Sequence, residues 1–295
     1  MTLTRSTARS LLLIALAFTL AGGLQASGDE PGFTVIDYPG SVHTRVFGIN
    51  TQRDIVGFHL DTDGTVHGLL RSDGELTSFD YPGATDFTVA IGINPARDIV
   101  GFYAVTPGQF HGFLLRGGAF TPIDVPYAVV TRAHGIDSRG HVVGSYQDAD
   151  GRLHGFLLRG GEFTPIDYPG ATDTEAVKIS PEGNIVGNYR SADGATHVFV
   201  LSAGEFTSID VPGAASTGAI GVGAGINPAG AIVGQYRDAA GTTHGFLLEG
   251  GVFTTIDFPA TGVAQTVATA INPRGDIVGR YRDAAGKDRG YLLSR

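Results

Sequence analysis

Apolar residues in this chain come in short runs, mostly β-branched or aromatic, with turn-forming residues between them. One run recurs as FTVID (Phe33 to Asp37), LTSFD (Leu76 to Asp80), FTPID (Phe120 to Asp124), FTPID (Phe163 to Asp167), FTSID (Phe206 to Asp210) and FTTID (Phe253 to Asp257). Its closing aspartates stand 43, 44, 43, 43 and 47 residues apart. Three more runs keep that period. G-I-N-like triplets start at Gly48, Gly92, Gly135, Lys178, Gly225 and Ala270, and I-V-G-like triplets at Ile55, Ile99, Val142, Ile185, Ile232 and Ile277. H-G-F-L-L-like runs start at His67, His111, His154, His197 and His244, with RGYLL at Arg289 as the sixth. Short β-branched runs bounded by Gly, Pro, Asn and Asp read as strands. No amphipathic run of helical length is visible.

The punctuation fits. Segments such as NPARD and NPRGD follow the second run, and pairs such as Asp73-Gly74, Gly117-Gly118 and Gly160-Gly161 follow the fourth. Pairs of this kind make two-residue hairpin turns. Four strands per unit of about 40–45 residues is the spacing of a β-propeller blade. The sequence therefore predicts an all-β, six-bladed β-propeller of four-stranded antiparallel blades. The chain begins with a lone FTVID and ends on RGYLLSR, so the N-terminal strand is expected to complete the last blade. The alternative leaves exposed strand edges at both ends.

A two-residue turn also fixes register. His154 and Asp167 lie symmetrically about Gly160-Gly161 and should face each other. The same symmetry pairs His67 with Asp80, His111 with Asp124, His197 with Asp210 and His244 with Asp257. In the sixth unit Arg289 takes the histidine's place, and its expected partner is Asp37 of the first strand. These are structural blade pairs. A ring of metal-binding histidines is disfavoured, because each has its own aspartate and one copy is an arginine.

Composition adds the compartment. Residues 1–27 read as a signal peptide: Arg5 and Arg9, an apolar run from Leu11 to Ala21, then small residues to a cleavage point near Ala26. The apolar run is short for a membrane anchor, which needs about 20 residues. No later run approaches that length, so no membrane span is expected after cleavage. The mature part, 28–295, is expected to be secreted, periplasmic or extracellular, and monomeric. The chain has no cysteine, which removes disulfides, thiolate metal sites and thiol catalysis. A net charge of −9 without a basic stripe argues against nucleic acid. The 45 glycines are about twice the usual share, as many tight turns require.

The unit resembles the HAF-type extracellular repeat, a bacterial family named for a His-Ala-Phe core. Here that core is HGF at His111, His154 and His244, and departs to HGL at His67, HVF at His197 and RGY at Arg289. The resemblance covers residues 33–295. It implies export and a repeat fold, and it carries over no catalytic residue.

Departures from the repeat mark the candidate site. The innermost strand of each unit reads T-x-A-x-G-I-N, with Thr at 44, 88, 131, 174 and 266. Arg45, Arg132 and Glu175 follow Thr where other copies have Val; His134 stands where others are Phe, Ile, Val, Ala or Thr; Lys178 replaces Gly and Ser180 replaces Asn. Arg45, Arg132, His134, Glu175 and Lys178 are the candidate ligand-binding residues of a polar patch at the channel mouth; the alternative is drift on a solvated rim. There is no G-x-S-x-G, H-E-x-x-H or P-loop, and no catalytic residue is assigned. No cofactor is expected. The DTDG at Asp61 and DADG at Asp148 leave calcium open, but lack the later acidic ligand and fit hairpin turns better. The expected function is a binding or scaffold module for a glycan, cell-envelope component or protein, engaged from the long-loop face. The alternatives are a channel-mouth hydrolase or lyase on a sugar-like substrate and a purely structural surface repeat.

Overall fold

The structure is a computed structural model that describes residues 32–221 and 223–295; residues 1–27, the expected signal peptide, lie outside the described residues. The first strand is β1 (Gly32–Ile36). A first sheet follows: β2 (His43–Ile49), β3 (Ile55–Leu60), β4 (Val66–Ser72) and β5 (Glu75–Phe79). The second holds β6 (Thr88–Ile93), β7 (Ile99–Thr106), β8 (Gln109–Arg116) and β9 (Ala119–Ile123). The third holds β10 (Val130–Ile136), β11 (Val142–Gln147), β12 (Leu153–Arg159) and β13 (Glu162–Ile166). The fourth holds β14 (Asp173–Ile179), β15 (Ile185–Arg190), β16 (Thr196–Ser202) and β17 (Glu205–Ile209). All four are antiparallel, with strands in sequence order.

The remaining strands are β18 (Ser216–Thr217), β19 (Gly225–Ile226), β20 (Ile232–Arg237), β21 (Thr243–Glu249), β22 (Val252–Ile256), β23 (Gln265–Ile271), β24 (Ile277–Arg282) and β25 (Asp288–Ser294). Here the structure differs from six separate sheets: with β1, these strands form one nine-stranded sheet. The physical reason is one parallel pair, Thr243 with Gln265, which joins β21 to β23. On one side of it lie β18 and β19, both on β20, then β21 and β22; on the other lie β23, β24, β25 and β1. β1 runs antiparallel to β25 from Gly32 opposite Ser294 to Ile36 opposite Gly290.

Local chemistry explains the strands. The turns that join the last two strands of a unit have both central residues at positive φ, as at Gly160 (60°) and Gly161 (87°), the mirror-image turn that matches strand twist. Five innermost strands carry a bulge, between Val46 and Gly48, Ala90 and Gly92, Ala133 and Gly135, Ala176 and Lys178, and Ala268 and Ala270. Opposite the bulge sits the I-V-G glycine. A Cβ on Gly57 would stand 1.9 Å from the Arg45 carbonyl oxygen, so glycine is required there by close strand approach.

The core lies between sheets. Leu69, Phe113, Phe156, Phe199, Phe246 and Tyr291, at one position of successive units, are fully buried, each stabilising by about 1.5–3 kcal/mol. Each group of strands packs on the next, and Ile36, Ala270, Val278 and Leu292 pack on Val46, Ile49, Ile55 and Leu69, so the last group meets the first sheet. Polar contacts repeat along the same joints. Asn50 Nδ2 donates to the Asn94 carbonyl (3.3 Å), Asn94 Nδ2 to that of Asp137 (3.2 Å), and Asn272 Nδ2 to that of Asn50 (3.3 Å). Arg97 reaches back to Asp54 (2.8 Å), and Arg53 grips Asp276 with two hydrogen bonds of 2.8 and 2.7 Å.

Candidate functional site

The innermost strands put their N-terminal halves around one mouth of a central channel. The residue after the Thr of these strands is paired across the ladder with a residue of the second strand: Arg45 with Phe58, Val89 with Phe102, Arg132 with Ser145, Glu175 with Asn188, and Val267 with Arg280. Two residues on, the bulge adds Phe47, Ile91, His134 and Val177 to the same wall; an extra residue in one strand re-aims the side chains around it. Because of the bulge, Lys178 also reaches inward. All of these residues except Asn188, Val267 and Arg280 line a cavity of about 470 Å³.

All five sequence candidates, Arg45, Arg132, His134, Glu175 and Lys178, line this one cavity. A solvated rim does not describe them. Glu175 is 2% exposed and His134 7% exposed, and both arginines are partly buried. The cavity lining is of two chemical kinds. Phe58, Phe87, Phe102 and Phe110 form an aromatic side; Arg132, His134, Ser145, Glu175 and Lys178 form a polar one.

Glu175 Oε1 accepts from Asn188 Nδ2 (2.8 Å), and both its oxygens accept from the Gly221 amide (3.0 Å each). Burial pushes its carboxyl up to about 7, against the pull of those bonds and of the Arg132 charge. His134 Nδ1 donates to the Ala176 carbonyl (3.3 Å); burial, with Arg132 and Lys178 nearby, pushes its pKa down to about 3, so the ring is neutral with Nε2 bare. Lys178 Nζ crosses the channel to donate to the carbonyls of Ile91 (2.8 Å) and His134 (3.0 Å), and burial pushes it down to about 7. It forms the cavity floor and the roof of a smaller space of about 80 Å³ below. The Arg132 guanidinium lies 5.5 Å from the Phe102 ring centre and 4.9 Å from that of Phe110, a cation–π arrangement. Arg45 donates to the fully buried Asp288 (2.8 Å), which also holds Arg282 (2.8 Å) and lies near Arg280 (3.7 Å).

Sequence reading missed half of this ring. The second-strand positions Phe58, Phe102, Ser145, Asn188 and Arg280 vary as strongly as the first-strand ones, and that variation was the available signal. Thr217 was missed as well. The Thr hydroxyl of each innermost strand accepts the backbone amide at the start of the preceding loop, as Thr44 does from Tyr38 (2.9 Å), and Thr217 does so from Val211 (2.9 Å). The fifth unit hides it because its innermost strand is broken into β18 and β19.

The blade pairs lie apart from the cavity, toward the outside. His67, His111, His154, His197 and His244 meet Asp80, Asp124, Asp167, Asp210 and Asp257 through Nδ1 at 2.9, 2.9, 2.8, 2.7 and 2.8 Å. Arg289 bonds Asp37 through Nη1, and Lys287 joins the same carboxylate at 3.1 Å. Asp148 of the DADG turn accepts from His154 Nε2 (3.1 Å), and Asp61 of DTDG meets His59 (2.9 Å), so these aspartates serve their own blades. Aromatic rings stack beside the pairs, Tyr38 on His59 at 3.8 Å and Tyr168 on Tyr189 at 3.7 Å. Asp276, which closes the sequence Arg274-Gly275-Asp276, is buried under Arg53.

Two chemical limits follow. Glu175 is the one carboxylate among the described residues lining the cavity, whereas glycoside hydrolysis generally uses two. No group of three or more metal-ligating side chains occurs among the described residues. A larger groove of about 730 Å³ runs beside β1 and β22, but its Arg295 and Glu249 are paired with each other (3.0 Å).

Solved structures share this architecture. A lectin of Aleuria aurantia, solved with Fucalpha1-6GlcNAc, aligns with 86% of this chain and 93% of its own at a TM-score of 0.54 and 13% identity. AofleA of Arthrobotrys oligospora aligns over 84% and 81% (TM-score 0.54, 15% identity). TolB of Acinetobacter baumannii aligns over 84% of this chain and 54% of its own (TM-score 0.53, 13% identity). The chain folds as a β-propeller. At such identities the likeness speaks for the fold alone. No protein-family model and no curated protein matches the sequence.

Proposed function

We propose that this β-propeller is an exported binding module that takes a carbohydrate of the cell envelope or its surroundings in the axial cavity. The observation that carries the reading is the cavity itself: about 470 Å³, within the usual size of small-ligand pockets of about 300–1,000 Å³. Its lining combines a cluster of phenylalanine rings with placed polar groups. That combination suits a sugar, whose C–H face packs on rings while its hydroxyls meet donors and acceptors. Propeller lectins among the structural neighbours add support by analogy of fold. In this reading the nine-stranded sheet is two blades touching at Thr243 and Gln265, and β1 completes the last of six blades. The repeat is of the HAF type, and residues 1–27 direct export. The reading of a channel enzyme lacks a second cavity carboxylate.

A glycan array probed with the purified protein tests the proposal. Wild type should retain a defined set of glycans, and Phe102→Ala should lose them while melting like wild type. No retained glycan, or retention unaffected by Phe102→Ala, rejects it.

A further inference from the structure

The axial cavity is positive inside a protein of net charge −9. Arg45 and Arg132 line it, while Lys178 and Glu175, both shifted toward neutrality by burial, offset each other. Arg45 belongs to a group of three arginines, with Arg280 and Arg282, that share the single carboxylate of Asp288, and Nη1 of Arg280 is buried with no hydrogen-bond partner among the described residues. That side of the mouth therefore carries surplus positive charge. Arg132 is the decisive residue. Its guanidinium rests on Phe102 and Phe110, yet among the described residues it makes no hydrogen bond or ion pair. Glu175 attracts it at longer range, but the Glu175 oxygens are already occupied by Gly221 and Asn188. A partly buried guanidinium offers five N–H donors in a planar fork, and Arg132 lines the cavity.

We propose that the cavity binds an acidic sugar, whose carboxylate meets the fork of Arg132 while one face of its ring lies on the phenylalanine wall. This rests on the carbohydrate reading above and names the ligand class within it. A carboxylate matches the guanidinium fork with two parallel hydrogen bonds. A free inorganic anion would satisfy Arg132 but leave the aromatic wall unused. A neutral sugar would use the wall but leave a desolvated cation unpaired. The surplus charge at the mouth draws an anion in from solution.

Titration calorimetry on the purified protein tests this with a glucuronic-acid-terminated disaccharide, its neutral glucose counterpart and the matching 6-sulfated glucose. The acid should bind roughly tenfold to a hundredfold more tightly than the neutral sugar, the worth of a charge-assisted hydrogen-bond pair. The preference should shrink as salt rises. Arg132→Gln should abolish it at an unchanged melting temperature, Arg132→Lys should restore part of it, and Arg274→Ala on the opposite face should leave it intact. Equal binding of acid and neutral sugars, or a preference that survives Arg132→Gln, overturns the inference and leaves the carbohydrate reading standing. Tighter binding of the sulfated sugar overturns the assignment to a carboxylate. If no sugar binds, both readings fall together.

Discussion

Replacing Arg53 with alanine tests how the last strands are held to the first sheet. Asp276, the partner, is fully buried, and receives two hydrogen bonds from Arg53 and one from Asn272 Nδ2 (2.8 Å). Removing one member of a buried ion pair costs about 3–5 kcal/mol because the other charge stays buried. Arg53 is 21% exposed, so water can enter and Asn272 remains; a loss of about 2–3 kcal/mol is the better expectation. For a chain of this size that lowers the melting temperature by about 5–10 °C, measured by circular dichroism at pH 7. Arg97→Ala at the neighbouring joint should cost less, since Arg97 is 52% exposed and Asp54 keeps Ser72 and Asn50 as partners. The pH dependence is a second arm. Burial works against the Asp276 carboxylate, but Arg53 and Asn272 outweigh it and hold its pKa below the usual value. A carboxylate with a depressed folded pKa stabilises above its unfolded value, about 3.9, and the contribution disappears as pH falls through the folded one. Wild type and Arg53→Ala should therefore differ by a constant amount above about pH 5 and converge toward about pH 2. Melting temperatures within a degree or two of each other at neutral pH, or a gap that persists in strong acid, would refute the reasoning.

Two further outcomes follow from titrating groups. Glu175, raised to about 7, favours folding most below its unfolded value, so wild type should lose about 3 kcal/mol relative to Glu175→Gln as pH rises from about 4.5 to 7; urea unfolding at both ends of that range measures it, and a flat difference rejects the burial of Glu175. Taking the difference cancels most of the opposing contributions of His134 and Lys178. At His244 burial lowers the pKa, but Asp257 and Asp238 more than offset it and raise the net value, so His244→Asn should cost under about 1 kcal/mol. That cost should be larger at pH 6 than at pH 8, because a raised histidine loses its contribution as pH climbs; equal loss at both pH values contradicts a charged pair.

What the sequence makes legible follows distance along the chain. The strands, hairpin turns and glycine positions are local, and the repeat displays each of them several times. The contacts of His154 with Asp167 follow from the same logic, since one turn links the two. Contacts between units are different. Arg53 to Asp276, Asn272 to Asn50 and Tyr38 on His59 join residues from separate units, and their meeting depends on how neighbouring sheets tilt. The candidate site lies between these cases. Departures from consensus on the innermost strand pointed to Arg132 and Glu175, and the same kind of variation marks Arg280 on the second strand, while Asp288, on the outer side of its unit, was invisible because no local pattern brings it to Arg45. A bulge turned Lys178 into the channel, and its sign in sequence was only the loss of a glycine.

The antiparallel pairing of β1 with β25 has a kinetic side. Phe33 and Leu293 face each other from opposite ends of the described chain, so this ladder has the longest loop to close and contributes nothing until nearly all of the polypeptide is available. The earlier sheets have hairpin contacts and can form in order as the chain emerges, while β1 waits with an open edge. Such a protein should cross from assembled to finished in a late, single step. A circular permutant that fuses the two ends and opens the Gly160-Gly161 hairpin would move that wait to a different sheet.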